Sequence, residues 1–383
     1  MVRTRPIRVA HIIPGLDYGG MERLVNELAQ ALPPRGVEVH VVVIEGFGRF
    51  AEGLGGVASL HQVPPMSMLS LAYPGGLITI LRAIRPDVVH SHAGVWFKAS
   101  RAARLARVPV VIHTDHGRPV PDRVSDRLTD NLASRSTDVV IAVSEALAGV
   151  LRRRVVHDAS RVRVITNGVD VARLQPPGDR IAIRRELGIP EGALVIGSVG
   201  RLEPVKNYRL ALAAFARMDA PRGERTPTFL VLVGDGRERS DLEHLARKLG
   251  IAPRVRFLGW CNDVERLYGA FDLFTLTSRS EGTSVSLLEA MSTGLCPVVT
   301  DVGGNRSVLG SDLSALLVPD GDELALALAW ERHLFDSGLR RELGERVRER
   351  VKTSFSLAQM VQNHVALYHE LVDRAGSATA AEP

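Results

Sequence analysis

Two glutamates separated by seven residues, Glu281 and Glu289, frame the most chemically loaded stretch of the chain: Ser278-Arg279-Ser280-Glu281-Gly282-Thr283-Ser284-Val285-Ser286-Leu287-Leu288-Glu289-Ala290-Met291. The apolar run predicts a helix over 284–293 that stops at Gly294, a residue type suited to ending helices. Glu281 then lies in the loop ahead of the helix and Glu289 within it. Gly282, Thr283 and Ser284 occupy the helix start, where unpaired backbone N–H groups and the helix dipole favour an anion. A carboxylate beside an anion site suits a ligand carrying both hydroxyls and phosphate. A plain solvated helix start, with Thr283 or Ser284 only capping it, fits the same residues.

A second chemical signal is Gly200-Arg201-Leu202-Glu203-Pro204-Val205-Lys206-Asn207. Arginine grips phosphate as a planar fork and lysine as a point charge, so Arg201 and Lys206 together suit a diphosphate. Lysine is scarce here, found only at positions 98, 206, 248 and 352, which gives Lys206 some weight. An ordinary exposed loop in an arginine-rich chain is the plainer reading.

Histidines make the third signal. His90 and His92 end one apolar run, and His113 and His116 fall at the end of the next. Metal binding is one reading, although the spacing matches no standard ligand set. Acceptor binding, acid–base chemistry and simple hydrogen bonding are the others. The glycine-rich turn from Pro14 to Glu22, with Gly19-Gly20, lacks the G-x-G-x-x-G dinucleotide pattern, and Gly234-Asp235-Gly236 is only part of a fingerprint. Asp320-Gly321-Asp322 has metal-motif spacing, but Asp322 as the N-cap of an apolar helix over 324–334 accounts for it.

Positioning these groups falls to a repeated strand–helix pattern. Short β-branched runs at 7–13, 37–44, 87–90, 109–113, 138–144 and 162–165 read as strands buried on both faces, with an apolar helical stripe from Met21 to Leu32 between the first two. Gln175-Pro176-Pro177-Gly178-Asp179 interrupts the pattern as a linker. The alternation then resumes with strands at 194–199, 229–233, 255–258, 273–276, 297–300 and 315–318, and helices at 242–249 and 284–293. The expectation is an α/β chain of two tandem Rossmann-like domains, 1–174 and 175–355, each with a doubly wound parallel sheet. A terminal helix begins near 356 and runs to about 373. Ligands of such sheets bind beyond the carboxyl ends of the strands, where every chemical signal above falls. Two such domains are expected to share a cleft.

Composition agrees. The 383 residues are 45% hydrophobic and 24% charged, as in a globular chain of about two domains. No apolar run is long enough to span a membrane, and the N-terminus lacks the unbroken apolar region of a signal peptide, which predicts a cytoplasmic protein. Cys261 and Cys296 match no metal or redox spacing. A net charge of +5 suits phosphates or an anionic membrane surface. Aromatic residues are few and no nucleic-acid-binding motif appears, so nucleic acid is not an expected partner.

Taken jointly, the motifs resemble the family 4 retaining glycosyltransferases of the GT-B fold. Glu-Gly-Thr-Ser-Val-Ser-Leu-Leu-Glu-Ala-Met is similar to that family's E-x(7)-E signature. Gly19-Gly20 looks like its N-terminal loop, Asn167-Gly168-Val169-Asp170 its interdomain turn, and Gly200-Arg201 with Lys206 its phosphate clamp. Thr300 to Asn305 resembles the loop after the signature helix, and Phe355-Ser356 through Tyr368 the terminal helix that returns to the first domain. Many members carry Phe-Gly after the first glutamate where this chain has Gly282-Thr283-Ser284, a form similar to a bacterial exopolysaccharide subgroup.

The resemblance implies transfer of a sugar from a nucleotide diphosphate donor, most commonly a UDP-sugar, to a glycan or lipid-linked acceptor, with retention and with no metal or cofactor. It places Glu281, His116, Arg201 and Lys206 at the catalytic centre: the two cations on the diphosphate, Glu281 on the sugar hydroxyls and His116 at the reacting face. Glu289 would hold the ribose, with Gly282, Thr283, Ser284, Gly20 and Gly234 also around the donor. Gly19, His92 and His113 fall on the acceptor side. A nucleotide-sugar epimerase or hydrolase on the same scaffold, or a non-catalytic nucleotide-sugar-binding subunit, would share the donor residues. Arg101, Arg104, Arg107 and the Arg152–154 run suggest peripheral membrane contact, while a solvated helix face explains them equally.

Overall fold

The computed structural model describes residues 5–17, 19–64, 73–118, 123–174, 178–218 and 226–380. The expected linker residues Gln175 to Pro177, and Tyr18 of the glycine loop, lie outside them. The chain forms two compact units, Met1–Asn167 with Ala358–Pro383, and Gly168–Leu357.

Unit 1 is built on β1 (Ile7–Gly15), α1 (Gly20–Ala31), β2 (Val37–Gly46), β3 (Ser59–Gln62), α2 (Gly75–Ile84), β4 (Val88–His92), α3 (Trp96–Leu105), β5 (Val110–Asp115), α4 (Val124–Arg135), β6 (Val139–Ala142), α5 (Glu145–Arg154) and β7 (Val162–Val164). The strands make one parallel sheet in the order β3-β2-β1-β4-β5-β6-β7. Val9, Ile12, Val41, Val42, Val89, Val111 and Ile141 are fully buried, as expected when crossover helices cover both faces of a parallel sheet. The reversal of strand order between β1 and β4 is the topological switch point, where such sheets present their ligand sites. A carboxylate anchors the opposite end: Asp87 takes the Arg8 backbone N–H at 2.9 Å and both arms of Arg5 at 2.7 and 2.9 Å.

Unit 2 contains α6 (Arg180–Glu186), β8 (Leu194–Val199), α7 (Tyr208–Met218), β9 (Thr228–Val233), α8 (Arg239–Lys248), β10 (Val255–Gly259), α9 (Val264–Leu267), β11 (Leu273–Leu276), α10 (Val285–Ser292), β12 (Cys296–Thr300), α11 (Asn305–Leu309), β13 (Leu317–Val318), α12 (Glu323–Phe335) and α13 (Ser337–Ser354). Its parallel sheet runs β10-β9-β8-β11-β12-β13. Asp322 caps α12 by accepting from the Ala325 N–H at 2.8 Å, the structural role read from its position. The last strand is shorter than expected, because 311–316 coil into a 3-10 turn and leave only Leu317–Val318 extended. Buried Asp272 organises the strand bases, accepting from Arg184 at 2.7 Å and from the Val195 N–H at 2.7 Å.

The final helix, α14 (Leu357–Ala380), belongs almost wholly to unit 1. Its Tyr368 is fully buried and hydrogen bonds to His90 at 2.8 Å. Where the chain leaves unit 2, the Val169 N–H donates to Phe355 O and the Leu357 N–H to Val169 O, both at 2.9 Å. Gly168 permits this approach, since a Cβ there would stand 2.4 Å from Ser356 O.

Candidate active site

Unit 2 gathers the strongest sequence signals at neighbouring strand exits. β8 leads into the Gly200–Asn207 turn, and β11, its neighbour in the sheet, leads into the 277–284 loop ahead of α10. Backbone contacts tie the two loops together. The Arg279 N–H donates to Val205 O at 2.8 Å, and the Thr277 hydroxyl donates to Lys206 O at 3.0 Å. From the end of β12 the Thr300 hydroxyl donates to Ser278 O at 2.6 Å.

Within this frame Lys206 Nζ lies 2.6 Å from Glu281 Oε1, which also accepts from Ser278 Oγ at 2.6 Å. The Glu281 side chain is only 8% exposed and that of Lys206 19%, so the pair is partly withdrawn from solvent. Gly303, at φ +51°, backs the loop: a Cβ there would stand 1.9 Å from Glu281 O. Arg201 is exposed, and among the described residues its side chain has no hydrogen-bond or ion-pair partner. One shielded cation, Lys206, is therefore paired to a carboxylate in the loop ahead of α10, and one unengaged cation, Arg201, stands at the exit of the neighbouring strand β8.

The remaining donor-side candidates are nearby in the fold. Gly282, Thr283 and Ser284 are buried, and Ser284 Oγ accepts from the Leu287 N–H at 3.4 Å as the N-cap. One turn into α10, Glu289 is 2% exposed and accepts from the Tyr268 hydroxyl at 2.7 Å. Gly234 has a packing explanation of its own. At φ +129° it turns the chain where a Cβ would meet Gly200 O at 2.1 Å, so it seats the Gly200–Arg201 turn. Ser278, Tyr268 and Gly303 are supporting residues to which the sequence reading gave no role: Ser278 and Gly303 fell within its quoted motifs, and Tyr268 carried no signal.

Unit 1 sorts the histidines by strand alternation. In the β4–β5 register Ser91 pairs with His113 and His92 with Thr114, and successive residues point to opposite faces. His113 therefore lies on the far face from His90 and His92. It is buried there, stacked on Trp96 with ring centroids 4.1 Å apart and bonded through Nδ1 to Ser91 Oγ at 3.0 Å. His113 and His92, expected together, are thus on opposite faces of the sheet, and His113 packs against Trp96 of α3.

His92 and His116 do come together, joined by His11 from β1. His11 Nδ1 lies 3.0 Å from His92 Nε2, and His92 Nδ1 lies 3.0 Å from His116 Nε2. His90 on the same face bonds Tyr368 and, at 2.7 Å, Thr114 Oγ1. His364 of α14 stands over His90 at 5.7 Å between rings. Burial pushes the basicity of this group down. His11 and His116 fall to about 3 and His364 to about 4, with burial the main cause. His90 and His92 lie well below the ordinary value for the same reason, reinforced by their neighbours. The cluster is thus neutral at neutral pH.

Neutral imidazoles each offer one donor and one acceptor, so the relay has a direction. His11 Nε2 is buried without a partner, and a bare acceptor is the less costly orphan. The proton then sits on His11 Nδ1 and is donated to His92. His92 donates from Nδ1 to His116 Nε2, leaving His116 with Nδ1–H to offer. One nitrogen from each of His11, His90 and His92 could share a metal ion, all three lying within 4.8 Å. Five of the six ring nitrogens of these three histidines are engaged in hydrogen bonds, and His11 Nε2 is the one left without a partner.

Gly19 is the residue before α1 and Gly20 its first member, at the exit of β1 beside β4. A Cβ on Gly19 would fall 2.3 Å from the Glu22 carboxylate. The arginines thought to face a membrane are partly engaged within unit 1. Arg104 pairs with Asp138 at 2.7 Å and donates to Ser136 O at 3.1 Å, and Arg152 lies 3.5 Å from Glu145.

Two doubly wound parallel sheets in one chain, with a cation–carboxylate cluster at the strand exits of the second, define the GT-B class of sugar transferases. Residues 179–350 match the family model described as glycosyl transferases group 1, and residues 18–173 match glycosyltransferase family 4. The chain belongs to this family and is a glycosyltransferase. It is 32% identical to a D-inositol 3-phosphate glycosyltransferase of Geodermatophilus obscurus, covering 95% of this chain and 87% of the relative. It is 27% identical to the UDP-Gal:alpha-D-GlcNAc-diphosphoundecaprenol alpha-1,3-galactosyltransferase of Escherichia coli, covering 96% and 97%. Among solved structures, Anabaena Alr3699/HepE in complex with UDP and glucose shares the fold at a TM-score of 0.83 and 22% identity, covering 95% of this chain and all of that one.

Proposed function

We propose that this chain moves a sugar from a UDP-linked donor to a glycan or lipid-linked acceptor in cell-surface polysaccharide or glycolipid assembly, with retention at the anomeric carbon and without a metal. The observation that carries the reading is the Lys206–Glu281–Ser278 cluster in the loop ahead of α10, with the unengaged Arg201 side chain at the exit of the neighbouring strand β8. Departure of a nucleoside diphosphate builds negative charge, and fixed cations with a helix terminus stabilise it where water is thin. Lys206 and Arg201 neutralise the diphosphate and Glu281 holds the hydroxyls of the transferred sugar. Glu289 holds the ribose, and the Gly282–Ser284 turn supplies backbone N–H groups. His116 acts at the reacting face, oriented through His92. Retention places the incoming acceptor oxygen on the leaving-group side, where a departing phosphate oxygen takes its proton. Relatives named for a diphosphoundecaprenol acceptor and for lipopolysaccharide core biosynthesis support a lipid-linked acceptor met at a membrane face.

A thermal-shift panel of UDP-, GDP- and ADP-sugars in excess EDTA tests the reading. A donor at a hundredfold excess over its dissociation constant stabilises the folded state by about 2.7 kcal/mol. The expected result is a shift with UDP-sugar that survives EDTA and disappears in Arg201→Ala. A shift that requires divalent metal would overturn the metal-free mechanism, and no shift with any donor would overturn the clamp.

A further inference from the structure

Three histidines share one face of two neighbouring strands in unit 1. His11 of β1 pairs in register with His90 of β4, and His92, two residues on, projects to the same side. Their ring centroids stand 5.1 Å (His11–His90), 5.3 Å (His11–His92) and 4.3 Å (His90–His92) apart. From α14 a fourth buried imidazole, His364, closes over His90, near enough to lower the basicity of His11, His90 and His116. This pocket has lone pairs to spare. A carbonyl only accepts, so His364 donates Nδ1–H to Met360 O at 2.8 Å and its Nε2 is left as an acceptor. No residue among those described donates to that nitrogen. His11 Nε2 is a second buried ring nitrogen without a partner.

We infer that His11, His90 and His92, with His364 as the fourth ligand, form a transition-metal site whose ion staples α14 to the sheet of unit 1. Nitrogen-only ligands select the class of ion: imidazole suits zinc, copper and nickel, whereas magnesium and calcium call for oxygen. One nitrogen from each of the first three rings lies within 4.8 Å of the others, against roughly 3–4 Å between nitrogens bound to one zinc ion. Protons do not compete for these nitrogens at neutral pH, since burial keeps the rings neutral. Three of the four rings also keep an orienting partner on their other nitrogen, as metal-bound histidines do. His364 has Met360 O, and His92 keeps its Nδ1–H on His116 Nε2 at 3.0 Å. His90 stands between the hydroxyls of Thr114 and Tyr368, which both donate and accept, so either nitrogen is released while the other stays bonded. His11 carries one proton that sits on either nitrogen and leaves the other for the ion. Binding breaks two hydrogen bonds, one at His90 and the one between His11 and His92, each worth far less than a set of metal–imidazole bonds. Half-buried His116, at the margin of the cluster, marks the side from which an ion enters. Arg201, Lys206 and Glu281 take no part, so the site is separate from the donor clamp and compatible with metal-free transfer.

Cobalt titration of the untagged full chain, stripped with EDTA and dialysed, tests the site. The expected result is one Co2+ bound per chain, with the strong visible absorption of a four-coordinate ion that Zn2+ then displaces. Zinc should also raise the melting temperature, and EDTA should reverse the rise. His11→Leu and His364→Leu are each expected to weaken cobalt binding by about tenfold or more. His364→Leu strands no side-chain partner and should keep the circular dichroism of the wild type. His40→Ala/His61→Ala removes a rival pair, 3.1 Å apart on β2 and β3, and should leave the cobalt spectrum unchanged. The proposal is overturned if wild type gives no four-coordinate spectrum, or if either leucine variant binds cobalt as tightly as wild type. A spectrum lost in His40→Ala/His61→Ala overturns it as well, by assigning the ion to the sheet edge. A cobalt spectrum without any UDP-sugar shift leaves the metal site standing and removes the donor reading, so the two fail separately.

Discussion

At the scale of residues, the site rests on a pair whose members depend on each other. Glu281 accepts from both Lys206 and Ser278 through one oxygen, and its side chain is nearly covered. Removing Lys206 leaves a shielded carboxylate without its cation, whereas Glu281→Gln keeps an acceptor for both neighbours and removes the charge. Lys206→Ala is therefore expected to lower stability by roughly 1–3 kcal/mol and to weaken donor binding about tenfold or more. Glu281→Gln is expected to fold normally and bind donor while kcat falls by about a hundredfold. The double variant should recover most of the stability lost in Lys206→Ala, because the stranded charge is gone. Urea unfolding of the four proteins closes this cycle, and strict additivity would show that the two side chains do not act together.

At the scale of elements, β11, the 277–284 loop and α10 deliver the glutamates, and the turn at Gly303 decides where the first one stands. With φ at +51° and Glu281 O 1.9 Å from where a Cβ would project, Gly303→Ala must push the Glu281 loop outward. The expected result is a kcat loss of about tenfold or more, with unit 1 unaffected; donor titration and steady-state kinetics on the variant check it, and unchanged kcat would mean the loop tolerates displacement. Why this loop and helix could be read from the sequence while other parts could not has a physical basis. Strands such as β8, β9 and β12 are buried on both faces and appear as unbroken apolar runs. β3, Ser59–Gln62, is a half-exposed edge strand with one leucine, so no pattern announces it. Residues 311–316 have the apolar content of a strand entrance but coil into a 3-10 turn. His113 shows a different limit. Its type and its place near a strand end were visible, but which face it occupies depends on register with β4, a pairing between segments that the sequence does not display. His11 and Tyr368 reach the histidine group from distant parts of the chain. Packing partners decided both.

At the scale of the whole molecule, the two units carry different liabilities. Unit 1 encloses His11, His90, His92, His113 and His364, each buried, with His116 at the margin; the one buried histidine of unit 2 is His333. Those in unit 1 have folded-state values far below the 6.5 of an unfolded histidine, held down chiefly by burial. For such a group the unfolded chain binds the proton first. Stability is therefore intact above pH 6.5, falls as the pH drops through 6.5, and goes on falling until the folded values near 3 to 4 are reached. At pH 5 a histidine held at about 3 or about 4 costs about 2 kcal/mol, and several acting together approach the full stability of a domain. Unit 1 is expected to unfold on mild acidification while unit 2 persists. Limited proteolysis of the full chain at pH 5 should cut first between residues 5 and 167, with 178–357 surviving, and at pH 7.5 both should resist. His364→Leu removes one such group without stranding a side-chain partner, since His364 bonds only the Met360 carbonyl in its own helix. That variant should lose about 2 kcal/mol less than wild type between pH 7.5 and pH 5 in urea unfolding. Equal losses in the two proteins would mean that protons reach His364 without unfolding, and that the histidine face of unit 1 opens to water in the native state.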